Sequence, residues 1–300
     1  MFVENIFQKV INIFIKENKK KVRFIYKFLF IIFKSFLKNR LILDFKKFKF
    51  YSYPDRKDLT RWMLKHLKPW DYEQILRLKD ILKESKSLFI DCGSNFGAYS
   101  VIISSLCKNT DVLSFDASNK MIGRLKENIN LNKLKNIKIF NLGIGKKNSK
   151  DYFNDNDNDS DFLNLGSYKF QKKNNSKLLK VVALDQFLDK FKLSKFKKIV
   201  IKIDIEGYEF EALQGLEKII KLFKPIIFIE MSKMLLEHKN FSQEKFNNFL
   251  LKNNLKFLNS NGKEVKLSFL INKLKTLNPK HQTIGDFFLV DKSLNLSFKI

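Results

Sequence analysis

Ser87-Leu88-Phe89-Ile90-Asp91-Cys92-Gly93-Ser94-Asn95-Phe96-Gly97-Ala98-Tyr99-Ser100 decides how this chain is read. Its first six residues form a short, mostly apolar run, as in a strand covered on both faces. Gly93 and Gly97 allow a tight turn and a close approach of backbone to a ligand. Ala98–Leu106 then continues as a helix. A strand that ends in a glycine turn and passes into a helix forms the crevice in which open α/β sheets bind ligands. The pattern is Gly-x-Asn-x-Gly and not Gly-x-Gly-x-x-Gly, so the pyrophosphate fingerprint of dinucleotide sites is missing.

Working outward, strands are expected at Asp111–Asp116, Asn136–Leu142, Lys198–Asp204 and Pro225–Glu230, with helices over Lys120–Leu131 and Glu209–Leu222. This alternation predicts a doubly wound, mainly parallel sheet. Leu255–Asn259 and Asp286–Val290 suggest a closing antiparallel pair at one sheet edge, and Leu179–Leu184 a small strand before Asp185–Phe191. Upstream, Asp71 with Gln74 three residues later has the form of a capping box, ahead of the apolar face Ile75, Leu78, Ile81 and Leu82. Between the third and fourth strands lies a polar excursion, Lys146 to Lys177. In it Asp155, Asp157, Asp159 and Asp161 alternate as calcium ligands do, but Ser160 and Gly166 occupy the positions that need glycine and glutamate. A solvated loop that shapes substrate access is the better reading.

The 300 residues carry 58 Lys and Arg against 31 Asp and Glu, a net +27. Such an excess points to an anionic partner, but the 32 Phe and the Lys, Asn and Ile bias are also what AT-rich codons produce, so only local concentration of charge is informative. It is concentrated in residues 1–50, with 13 basic against 3 acidic side chains. There Val3, Phe7, Val10 and Phe14 recur at helical spacing with Lys9 and Lys16 off that face, and Arg23, Lys27, Lys34 and Lys38 stripe a second helix, Val22–Leu37. Residues 1–70 are thus expected to be a basic helical extension and 71–300 the main domain. Two readings of the extension stay open: packing on the domain or a second subunit, and peripheral contact with a membrane surface. Cys92 and Cys107 are too few for a disulfide framework or a Cys-rich zinc site, and His66, His238 and His281 form no ligand pair. With no small-residue cleavage site, a reducing, cytoplasmic setting is expected, peripheral at most on the inner face of the membrane.

The chemistry is carried by acids at strand ends. Asp116 can accept the two hydroxyls of a ribose, and Asp91 is placed to face a cationic amino group. An ammonium, a ribose and a sulfonium without phosphate describe S-adenosylmethionine (SAM). Asp91, Gly93, Ser94, Asn95, Gly97, Asp116 and Ala117 are the candidate cofactor residues. A second constellation, Lys202-Ile203-Asp204-Ile205-Glu206-Gly207-Tyr208-Glu209, puts Asp204 and Glu206 on one side if the strand runs through them, and Glu230 ends the fifth strand. Helix capping is the competing role for Asp204. Asp204 or Glu206 is the candidate base or acceptor anchor, with Glu230 and His238 as lesser candidates. The spacing of the acids demands no metal, and none is assigned.

These two stretches resemble the FkbM family of methyltransferases. Asp91 to Gly97 is similar to the family's D-x-G-A-N-x-G turn, with Ser94 in the Ala position, and Lys202 to Glu209 matches its K-x-D-x-E-G-x-E signature. Val182-Ala183-Leu184-Asp185, Gly215 and Pro225 to Glu230 follow in the family's order, whereas Asp116-Ala117 stands where the family has Glu-Pro. The resemblance runs from about Leu88 to about Val290. It implies a Rossmann-like SAM-dependent methyltransferase fold, with a mainly parallel seven-stranded sheet and an antiparallel C-terminal edge. It also implies O-methyl transfer to a hydroxyl of a small molecule or glycan, as in polysaccharide or secondary-metabolite biosynthesis. An RNA or DNA methyltransferase is the alternative enzyme. No nucleic-acid partner is expected, because Asp204-Ile205-Glu206-Gly207 would set negative charge against phosphate. A non-catalytic, membrane-associated SAM-binding protein is the alternative outside enzymes.

Overall fold

The computed structural model describes residues 2–17, 26, 30, 39–54, 58–153, 177–294 and 296. Five parallel strands form its centre: in spatial order β5 (Ile137–Asn141), β4 (Thr110–Asp116), β3 (Ser87–Cys92), β9 (Lys198–Ile203) and β10 (Ile226–Ser232). β13 (Thr283–Asp291) runs antiparallel between β10 and β11 (Leu255–Leu258), and the two-residue β12 (Glu264–Val265) adds an eighth strand at that edge. The expected doubly wound sheet with an antiparallel edge is therefore present. From β3 the chain builds outward through β4 to β5, and from β9 outward through β10 in the opposite direction. The reversal between β3 and β9 opens a crevice beyond their carboxyl ends.

Alternation along the strands divides the core into two layers. Leu88, Ile90, Leu113, Ile201 and Ile229 pack with α7 (Glu209–Gln214), α8 (Glu217–Phe223), α10 (Gln243–Lys252) and α11 (Leu267–Lys275). Phe89, Val112, Val200 and Phe228 pack with α3 (Tyr72–Leu82), α4 (Ala98–Leu106) and α5 (Asn119–Leu131). The helix expected over Glu209–Leu222 is broken into α7 and α8 at Gly215, where a Cβ would sit 2.1 Å from the Gly145 carbonyl oxygen. α11 went unassigned in the sequence although Leu267, Leu270, Ile271 and Leu274 have helical spacing, and all four are buried. β8 (Lys177–Val182), followed by α6 (Leu184–Phe187), joins β6 (Gly143–Ile144) and β7 (Ser149–Phe153) in a small separate sheet. The acidic excursion with Asp155, Asp157, Asp159 and Asp161 lies outside the described residues.

The N-terminal stretch is not wholly helical. α1 (Phe2–Glu17) is followed by a hairpin, β1 (Leu41–Asp44) with β2 (Lys49–Ser52), and by α2 (Leu59–His66). The hairpin is sewn to α5: Asn128 Oδ1 accepts the Tyr51 N–H at 3.0 Å and Asn132 Oδ1 that of Lys49 at 2.7 Å. Beside it, Arg124 and Asp58 form a buried pair at 2.5 Å. α1 buries Phe7 and Ile11, while Val10 and Phe14 of the expected row are half-buried and the Val3 side chain lies outside the description. The Gln8 amide sets this orientation, because it bonds both the carbonyl and the N–H of Ile42 on β1. The helix expected over Val22–Leu37, with its Arg23, Lys27, Lys34 and Lys38, lies outside the described residues except for Tyr26 and Phe30, both buried.

Candidate active site

The turn after β3 is fastened on both sides. Gly93 and Ser94 donate their N–H groups to the Phe115 carbonyl at the end of β4, at 3.0 and 2.9 Å, and the Asp204 N–H reaches Cys92 O at 3.1 Å. Gly93 has φ +79°, and a Cβ there would lie 1.8 Å from the Asp204 carbonyl oxygen. Only glycine lets the turn close over the end of β9. Asn95, at φ +50°, donates its N–H to Asp116 Oδ2 at 2.7 Å, while Asp116 Oδ1 takes the Ser118 N–H at 2.8 Å. The Asn141 amide donates to the carbonyls of Asp116 and Ala117, fixing the segment that carries the acid. Burial pushes the Asp116 carboxyl up to about 6, against the bonds it accepts from the Ser118 and Asn95 N–H groups. Ser94 Oγ is buried and has no partner among the described residues. A glycine cradle and an unmatched hydroxyl fit a bound polar ligand.

Asp91 does not line the crevice. It is 0% exposed, accepts a hydrogen bond from Ser100 Oγ at 2.5 Å, and has the Lys202 ammonium 3.7 Å away. The cation it faces within the protein is thus the Lys202 side chain. Lys202 lies under the turn, where its Nζ donates to Gly93 O at 3.2 Å and Asp204 Oδ2 at 3.0 Å. It also sits 5.0 Å from the centre of the Tyr99 ring. Burial alone would push this ammonium down, but Asp204 and Asp91 outweigh it and raise it.

Above this floor stands a rim of acids. Strand β9 ends at Ile203, one residue before the expected end, and Glu206 lies in a left-handed turn at φ +56°, so the condition for Asp204 and Glu206 to share a strand face is not met. Their charges still act on Glu230: burial first, then Asp204, Glu206 and Asp286, push its carboxyl well above its usual range. Asp286 pairs with Glu230 in the β10–β13 register. Its carboxyl rises to about 7 through burial and through Asp71 and Asp204. Asp71 stands at the start of α3 at φ +50° with no capping bond, and instead accepts from the Tyr99 hydroxyl at 3.2 Å. Its expected capping role is therefore not taken up. Asp204 keeps 37% of its side chain exposed, whereas Asp91 and Glu209 have none. An acceptor molecule can reach Asp204 and not the other two. Among the described residues, no three His, Cys, Asp or Glu side chains are grouped to hold a metal ion.

Glu209 belongs to the scaffold. Its Oε1 accepts the N–H groups of Ile205 and Gly207 at 3.0 and 3.1 Å, pinning the turn that carries Glu206, while Oε2 is buried without a partner. Burial raises this carboxyl from 4.5 to about 7. The folded chain therefore binds the proton more tightly than the unfolded one, and stability falls as pH rises from the unfolded value through 7. Glutamine at 209 keeps the acceptor and removes the titration. Between pH 5 and pH 8, wild type should lose about 2–3 kcal/mol relative to Glu209→Gln in denaturant unfolding. Parallel pH dependence of the two proteins would refute this role.

His238 is set apart from these acids. Its ring meets Tyr208 edge-on at 4.4 Å, and burial holds its imidazole below the usual range, against the nearby Glu211. The Tyr208 hydroxyl is raised to about 12 by burial and then by Asp151 and Glu211. The sequence gives no role to Lys202, Tyr99 or Asp286, and to Asp71 only a helix cap. Lys202 left a signal, an ammonium between Ile201 and Ile203 in a strand expected to be buried, which requires a partner. Asp286 left none, since only the register of β13 brings it to Glu230.

Residues 91–265 match the Methyltransferase FkbM domain, more than half of the chain. Among solved structures, the chain is similar to the methyltransferase FkbM of Methylobacillus flagellatus KT, at 16% identity and a TM-score of 0.43, over 77% of this chain and 52% of that one. The chain thus spans about half the length of that protein. It is also similar to TYW2 of M. jannaschii, solved in complex with AdoMet, at 13% identity and a TM-score of 0.39, over 84% of each chain. No curated protein matches. The matched segment contains both the glycine turn and the Asp204–Glu209 signature, and the chain belongs to the FkbM family of SAM-dependent methyltransferases.

Proposed function

We propose that the protein transfers a methyl group from SAM to a hydroxyl, on a sugar of a glycan or on a secondary metabolite. The observation that carries this reading is the part-exposed Asp204 just past the end of β9, with Glu230 on the adjoining strand β10. SAM supplies an electrophilic methyl group on a positively charged sulfur. Gly93, Ser94, Asn95 and Gly97 would hold it along the turn, with Asp116 and Ala117 at its ribose side. Asp91 contributes from below, by balancing Lys202 under Gly93. The protein's first contribution is to hold the acceptor oxygen in line with the methyl group. Its second is to remove the hydroxyl proton as the new oxygen–carbon bond forms, and Asp204 takes that proton. The surrounding acids favour a cationic donor and disfavour a polyphosphate acceptor.

Glu230 is then a neighbour of the base and not the base itself, since burial and the adjacent carboxylates disfavour its ionised form. Glu230→Gln, a neutral isostere, should keep turnover within about fivefold of wild type, whereas a catalytic base would lose about 100-fold or more. The wider reading is tested by incubating the protein with methyl-labelled SAM and separate glycan, small-metabolite and RNA fractions. Label should enter a glycan or metabolite and resist mild alkali, as an ether does. Label confined to RNA, or released by alkali as from a carboxyl ester, would overturn it.

A further inference from the structure

We infer that the outward face of α1 docks the protein on an anionic lipid bilayer. The inward face is already used: Phe7 and Ile11 are buried, and Gln8 bonds both backbone groups of Ile42 at 2.6 and 2.8 Å. That two-way bond fixes the rotation of the helix. The opposite row faces away from the domain and carries Ile6, 49% exposed, and Ile13, 56% exposed, two turns apart. Lys9, also exposed, lies between them on the same side. A single exposed isoleucine on a soluble protein is ordinary. Two in one row beside a lysine, on a helix whose other face is filled, make the pattern of a helix lying in a membrane interface.

Charge selects the occupant. Residues 1–50 carry 13 basic side chains against 3 acidic ones, a concentration that an anionic leaflet attracts. A second copy of the same face brings the same charge and is repelled. A nucleic acid would answer the charge and leave the two isoleucines unused. No helix among the described residues is long and apolar enough to cross a membrane.

The test uses the full chain, sedimented with vesicles of phosphatidylcholine alone or of phosphatidylcholine and phosphatidylglycerol in equal parts. Wild type should partition to the mixed vesicles only, and raised salt should release it. The double variant Ile6→Ser/Ile13→Ser should bind the mixed vesicles about tenfold more weakly, because less apolar area enters the interface. Both positions are exposed, so its circular dichroism spectrum and SAM affinity should match wild type. Equal binding to neutral vesicles, or no loss in the double variant, would overturn the inference. So would tight binding to polyuridylate without vesicle binding, or a dimer that the double variant dissolves.

Discussion

Asp204→Ala should lower turnover by about 100- to 10,000-fold, the range that a positioned general base contributes, while SAM affinity stays within a few-fold of wild type. The carboxylate is at the lip of the crevice, 37% exposed, so its removal opens no core cavity. It does free one of the contacts of Lys202, which keeps Gly93 O and Asp91. Asp204→Asn separates proton removal from positioning. The amide keeps an oxygen for the Lys202 ammonium and cannot take the proton, so it should be as inactive as alanine. Single-turnover kinetics with saturating SAM give the comparison. An asparagine variant with more than a tenth of wild-type turnover would move the base to another group of the rim.

Lys202→Met should destabilise the fold by about 3–5 kcal/mol at neutral pH, the cost of leaving one member of a buried ion pair alone. Asp91 is the reason. It is fully buried, bonded to Ser100, and Lys202 is the cation that offsets its loss of water. Its carboxyl is already raised by burial against the opposing pull of Lys202. Without the ammonium it rises further, so the folded variant holds a proton that the unfolded chain releases. Stability of the variant should therefore fall as pH rises through that raised value, and its deficit should shrink at pH 5 and widen at pH 8. Adding Asp91→Asn should recover part of the loss, because the stranded charge goes with it. Unfolding in denaturant at the two pH values measures all three proteins, and a single variant as stable as wild type at pH 8 would remove the buried pair from the account.

Much of this architecture can be read from residues near one another in the chain. The apolar runs at Ser87–Cys92 and Lys198–Ile203 are legible because strands buried on both faces need no alternation. Gly93, Gly97, Asp116 and Asp204 are legible because a strand end, a turn and an acid leave their order in the sequence. What depends on register is not. Asp286 reaches Glu230 because β13 enters the sheet antiparallel between β10 and β11, and Asp71 turns towards Tyr99 instead of capping its helix. The Asp91–Lys202 pair is hidden for a related reason. A carboxylate at a strand end looks available until the neighbouring strand is seen to supply Lys202. The β1–β2 hairpin was hidden in a basic stretch whose helical spacing dominates on either side. Its anchors, Asn128 and Asn132, lie on α5, far along the chain.

Calorimetric titration of the wild-type chain with SAM tests the central claim most directly. The account predicts a single saturable site that S-adenosylhomocysteine blocks and that survives Asp204→Asn unchanged. A chain that is folded by circular dichroism and takes up no SAM, or whose binding S-adenosylhomocysteine leaves untouched, would contradict it.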